Sequence, residues 1–138
     1  MKSCFLIILL IATSFSLCAQ TPPINNQGCN FTDELHYKDG KAILSLKAKF
    51  DGYSKSGVNN NLQKLESEKK LRSRDYLYEI SFYPENCRRR FGAAIKHNGA
   101  LNLRKLRAGA KLYLTLVVYR IANSPRPYFV IDNLSVIK

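Results

Sequence analysis

The stretch Lys41-Ala42-Ile43-Leu44-Ser45-Leu46-Lys47-Ala48-Lys49-Phe50 alternates without a break. Ala42, Leu44, Leu46, Ala48 and Phe50 fall on one side, and Ile43, Ser45, Lys47 and Lys49 on the other. Successive residues of a strand point to opposite faces, so a period of two over this length specifies a half-buried β-strand. A helix would repeat its apolar residues every 3.6 positions, which this stretch does not do. Asp51-Gly52 has turn chemistry and is expected to end the strand.

Downstream the pattern breaks and then resumes. Residues 54–74 hold Gly57 and the run Asn59-Asn60-Asn61, which reads either as a loop or as a short helix capped by Asn61. Such a helix would carry Leu62, Leu65 and Leu71 on its inner side. Asp75 to Tyr83 reads as a strand with Tyr76, Tyr78, Ile80 and Phe82 on one face. Pro84-Glu85-Asn86 is a turn, and Cys87 to Ile95 returns as a third strand. His97-Asn98-Gly99 breaks that strand. Leu101, Leu103 and Leu106 line a short helix stopped at Gly109. Two more strands, Lys111 to Ile121 and Tyr128 to Ile137, are joined by Asn123-Ser124-Pro125-Arg126-Pro127.

The expected fold is therefore mainly β, with five strands and one short helix between strands 3 and 4. That order resembles the OB-fold, a small Greek-key barrel. Leu106-Arg107-Ala108-Gly109-Ala110-Lys111-Leu112-Tyr113-Leu114 resembles the L-x-x-G-x-x-L-x-L approach to the fourth strand of many OB domains. Asp75 to Ile95 is similar to their central hairpin, and the likeness covers roughly residues 41–137. Another small β-barrel or sandwich of the same strand count is the alternative. Two exported OB families can be set aside. Cys29 is similar to the N-terminal cysteines of netrin-like inhibitor domains, but their further cysteines are missing. Phe50-Asp51-Gly52-Tyr53 lacks the second acid and the threonine of the thermonuclease metal turn.

Upstream, Met1-Lys2-Ser3, the apolar run Cys4 to Ala12 and the more polar Thr13 to Ala19 have the build of a secretory signal peptide. Cleavage after Ala19 is expected, which places the chain in the periplasm or outside the cell. The apolar run is too short for a stable membrane anchor, and no later segment reads as a transmembrane span. The expected organisation is a signal peptide at 1–19, a tether at 20–40 that opens with Thr21-Pro22-Pro23, and a barrel domain at 41–138. Beyond Ala19 the only cysteines are Cys29 and Cys87. In an oxidising compartment they read as one disulfide; the alternative is two buried free thiols.

The chain of 138 residues is 46% hydrophobic, which suits one globular domain and leaves no room for a second core. Its 22 Lys and Arg against 10 Asp and Glu give a net charge of +12. That charge is uneven. Residues 20–85 carry 10 basic and 9 acidic residues, whereas residues 86–131 carry 10 basic residues and no acid. Relief for the second half must come from the first, from counterions or from a partner.

His36 and His97 are the only histidines, and neither they nor the serines sit in a catalytic motif. No cofactor or metal motif is present, so a non-catalytic binding module is expected. The candidate contacts are Arg88, Arg89, Arg90, Lys96, Arg104, Lys105, Arg107 and Arg120, with Tyr113 and Tyr119 supplying aromatic surface. Single-strand binders combine a basic groove with exposed rings on which bases stack. Tyrosine is also a common strand residue in its own right. The ligand expected is a polyanion, either nucleic acid or acidic glycan. The alternative is a protein-interaction domain (an inhibitor, an immunity-type factor or an envelope-complex subunit) docking an acidic partner.

Overall fold

The strand read from Ala42 to Phe50 is longer than its alternation. In the computed structural model, which describes residues 28–55 and 59–138, β1 runs over Lys41–Lys55. It is followed by the helix α1 (Asn60–Ser67) and the strands β2 (Tyr78–Pro84) and β3 (Phe91–Ile95). The helix α2 (His97–Leu103) and the strands β4 (Lys111–Tyr119) and β5 (Tyr128–Val136) complete the order. The segment expected as a signal peptide and the first part of the expected tether lie outside the described residues, as does the Leu101 side chain.

The five strands close into a barrel in the order β1-β2-β3-β5-β4. All neighbours are antiparallel except β3 and β5, which run parallel and are paired at Ala94 and Val130. With α2 between β3 and β4, this closed mixed barrel is the mainly β architecture expected, and it is compatible with an OB-like fold.

Asp51-Gly52 does not end β1. The register against β2 shifts between Phe50 and Gly52, a bulge at which the chain continues. Phe50 pairs with Phe82 on the inner face, but beyond the bulge Tyr53 pairs with Ile80, so the inward parity changes from even to odd. One extra residue does this because side chains alternate with a period of two. A second shift between Thr115 and Leu116 on β4 inserts Asp132 into β5, so Ile131 and Leu134 both meet inward-facing leucines.

Two apolar clusters result. The barrel interior holds Leu44, Leu46, Phe50, Ile80, Phe82, Leu103, Leu112, Leu114, Leu116 and Val118. A smaller one lies outside the barrel wall, where Leu62 and Leu65 of α1 cover Ala94, Val130, Tyr119 and Ile121. The cap of α1 is Asn59 rather than Asn61: its side-chain Oδ1 accepts from the Asn61 and Leu62 N–H groups at 2.9 and 3.3 Å. Asn59 also donates to the Tyr128 hydroxyl at 2.9 Å, tying the helix to β5.

From Gly28 onward the segment expected as tether is fastened to the barrel. Phe31 is 1% exposed and inserts between Phe91 of β3 and Phe129 of β5, with ring centroids 4.9 and 5.6 Å away. Cys29 and Cys87 form a disulfide with their Cα atoms 4.9 Å apart. Gly28 lies so close to the Asn86 carbonyl that a Cβ there would sit 3.1 Å from its oxygen, and its φ of +64° suits glycine. Among the described residues no helix is long and apolar enough to cross a membrane.

Candidate functional site

The outward residues of β1 and β4 meet in register. Lys47 stands opposite Tyr113, and Lys49 stands opposite Lys111. On the other side of β1, Lys49 is opposite Tyr83. The chain then turns through Glu85, whose N–H donates to the Lys47 carbonyl at 2.8 Å, and reaches Arg88. These residues enclose a groove of about 600 Å³, floored by Lys47–Lys49 and walled by Tyr83–Arg88, Lys111 and Ile137. It carries four cations, Lys47, Lys49, Arg88 and Lys111, and one carboxylate, Glu85. Among the described residues none of the four cations makes an ion pair. Like charges placed directly opposite destabilise a β-ladder, and Lys49 and Lys111 are such a pair.

The arginine run does not act as a unit, because residues 87–90 form a loop instead of the start of the third strand. Arg88 lines the groove. Arg89 lies over the Phe91 ring at 5.2 Å. Arg90 is paired with Asp51, Nε to Oδ2 at 3.0 Å, and donates to Ser81 Oγ at 2.8 Å. Arg104, Lys105 and Arg107 are exposed on the turns after α2. Those turns are pinned beside the groove floor, since Gly109 N–H donates to the Phe50 carbonyl at 2.7 Å and Phe50 N–H to Ala110 at 2.8 Å.

Other candidates lie elsewhere. Tyr119 pairs with Lys41, six residues along β4 from Tyr113, roughly 20 Å at strand rise. It is buried beneath α1 and offers no aromatic platform. Its hydroxyl pKa is raised, first by burial and then by Asp132, with Lys70 acting in the opposite direction. Arg120 stacks on Tyr37 at 4.0 Å and lines a second, smaller pocket of about 270 Å³ with Arg126 and Asp33. Lys96 lies 6.0 Å over Tyr76 on the α1 side. Tyr113 remains 38% exposed, with Lys47 5.7 Å from its ring centroid.

Lys111, although in the basic half, is not among the candidate contacts read from the sequence; Lys47 and Lys49 are not either, because they belong to the charge-balanced half. The signal that could have found them is the alternation itself, which turns both to the outer face. Asp51 faces outward too but is engaged by Arg90, so the balance by residue count is not a balance in space. Among the described residues no three His, Cys, Asp or Glu side chains converge to hold a metal. No family model matches the chain, and neither a characterised protein nor a solved structure matches it.

Proposed function

We propose that the protein is an exported, non-catalytic binding module of OB-like build whose basic groove holds a polyanion. The observation that carries this reading is the facing pair Lys49 and Lys111, flanked by Lys47 and Arg88 and left without ion pairs among the described residues. Such a cluster lowers the stability of the free protein and is relieved when anions enter. Arg104, Lys105 and Arg107, exposed beside the floor, extend the field that draws the ligand in.

Titration of a labelled single-stranded oligonucleotide or acidic glycan across a salt series tests it. Each neutralised phosphate releases counterions, so four cations on a single strand give a log–log slope of roughly −3. Lys49→Ala with Lys111→Ala is expected to weaken binding at least tenfold while the fold is retained. Affinity that is flat from low to moderate salt sinks the reading. Docking of an acidic protein is the second reading, favoured by the exposed Ile43 on the outer face of β1 (56%) and Val136 on β5 (47%). Apolar anchors of that kind dominate protein interfaces, so Ile43→Asp would abolish capture of such a partner and leave polyanion binding intact.

A further inference from the structure

We infer that the Cys29–Cys87 disulfide is a thiol-exchange site whose reagent is a small thiol carrying a carboxylate or sulfonate. The bond joins two unlike surroundings. Cys29 is exposed on the short turn Gly28–Asn30, whereas Cys87 is 8% exposed and forms part of the groove wall. Exchange begins when a thiolate attacks a disulfide sulfur that it can reach, and it runs faster when the departing thiolate is stabilised. Access favours attack on Cys29. Stabilisation favours departure of Cys87, because its Sγ already accepts the Arg89 N–H at 3.3 Å. Arg88 and Arg89 follow it directly in the chain, and the pKa of a thiol falls beside such cations.

The groove chooses the reagent. Cys87 shares its lining with Lys47, Lys49, Arg88 and Lys111, against one carboxylate, Glu85. Such a field raises the local concentration of anions and their rate of encounter. A thiolate bearing a second negative charge is therefore favoured over one whose remaining group is neutral or cationic. In the first step its sulfur bonds to Cys29 Sγ, the Cys29–Cys87 bond breaks, and the electron pair leaves on Cys87. A second reagent thiolate then attacks the reagent sulfur of the mixed disulfide and releases Cys29 as a thiolate. Two reagent thiolates are thereby oxidised to one small disulfide, and their two electrons reduce the cysteine pair. The surrounding fold makes the exchange reversible. Phe31, two residues from Cys29, is held between Phe91 and Phe129, and Gly28 lies against the Asn86 carbonyl. Both contacts keep Cys29 beside Cys87 after the bond opens, so it recloses once the reagent is removed. None of this requires the groove to hold a polyanion.

The test is the rate of disulfide opening in the full, disulfide-bonded protein with mercaptoethanesulfonate, mercaptoethanol and cysteamine. Each rate is referred to the thiolate concentration and to the same thiol's rate on a neutral small disulfide. At low salt the sulfonate is expected to react about tenfold faster than cysteamine, a gap closing to about twofold at high salt. Lys49→Ala with Lys111→Ala should cut the low-salt advantage to about a third. Acid quenching and mass spectrometric mapping should place the first adduct on Cys29, with Cys87 free. Equal rates for the three thiols, an advantage unchanged by the two lysine substitutions, or a first adduct on Cys87 overturns the inference. So does a bond that opens only when the protein unfolds. Each of these outcomes leaves polyanion binding standing, since the salt titration reads that separately.

Discussion

Lys49 and Lys111 face each other with no carboxylate between them, while three residues along the chain from Lys49 the charge on the outer face of β1 is neutralised. Gly52 pairs there with Ser81, and Asp51 and Arg90 form their ion pair beside it. Replacing one lysine by an acid should therefore help the fold and harm the site. Lys111→Glu turns a like-charge pair into an opposite one across an exposed ladder, an effect worth about 0.2–1 kcal/mol. Urea unfolding is expected to show a gain of that size, and polyanion titration a loss of tenfold or more. A destabilised Lys111→Glu protein would mean that the lysine pair is not strained, and the main argument for the groove would go with it. This opposition between stability and binding was illegible in the sequence, where Lys49 and Lys111 are separated by two helices, two strands and a change of half. Only register brings them together.

At the scale of elements, α1 is held by one side chain at each level of structure. Asn59 caps its N-terminus and also donates to the Tyr128 hydroxyl, so one residue couples the helix to β5. Asn59→Ala is expected to cost about 1 kcal/mol for the cap alone, and more with the Tyr128 bond, read by chemical denaturation. Beneath the helix, the Tyr128 pKa is raised chiefly by burial, helped by Glu79 and opposed by the Asn59 hydrogen bond; Tyr76 and Tyr119 are raised by burial first. A tyrosine whose folded pKa exceeds its unfolded value of about 10 deprotonates more readily when unfolded. Its contribution is complete below pH 10 and declines as pH rises above it. The melting temperature should thus fall steeply above pH 10, and Tyr128→Phe should flatten the fall. The strands were legible because alternation survives in any context. The helix was ambiguous against a loop because Leu62 and Leu65 give two apolar positions and no repeat. The third strand was read four residues too early: Cys87 and the arginines carry a disulfide and loop contacts that composition does not reveal.

For the molecule as a whole, the N-terminal segment and the barrel are joined by a covalent bond and by a buried ring. Cys29 and Cys87 are 58 residues apart, so removing their cross-link costs about 4 kcal/mol on the chain-entropy model. Phe31→Ala, which empties the space between β3 and β5, costs roughly 3–5 kcal/mol. Both perturbations act on the same seam, and they should be less than additive, because a segment released by one no longer gains from the other. A double-mutant cycle between Phe31→Ala and Cys29→Ser with Cys87→Ser checks this; full additivity would show that the ring and the bond stabilise independently. Phe31 was read as part of a tether because a lone aromatic in a polar run has no periodicity. Tertiary packing alone recruits it.

The bulge at Asp51-Gly52 gives β1 two reading frames. Before it the even residues face the barrel interior; after it the odd residues take the side of β1 that pairs with Ile80 and Tyr78, although Tyr53 and Lys55 themselves are exposed. A single deletion there would remove almost no contact surface of its own, yet it would exchange inside for outside over everything that follows in the strand. Tyr53 would leave the face it shares with Ile80 and Tyr78, and Ser54 would replace it. The strand's far end is thus specified by a count of residues as much as by their chemistry. Substitutions at 51 and 52 are tolerable where changes of length are not.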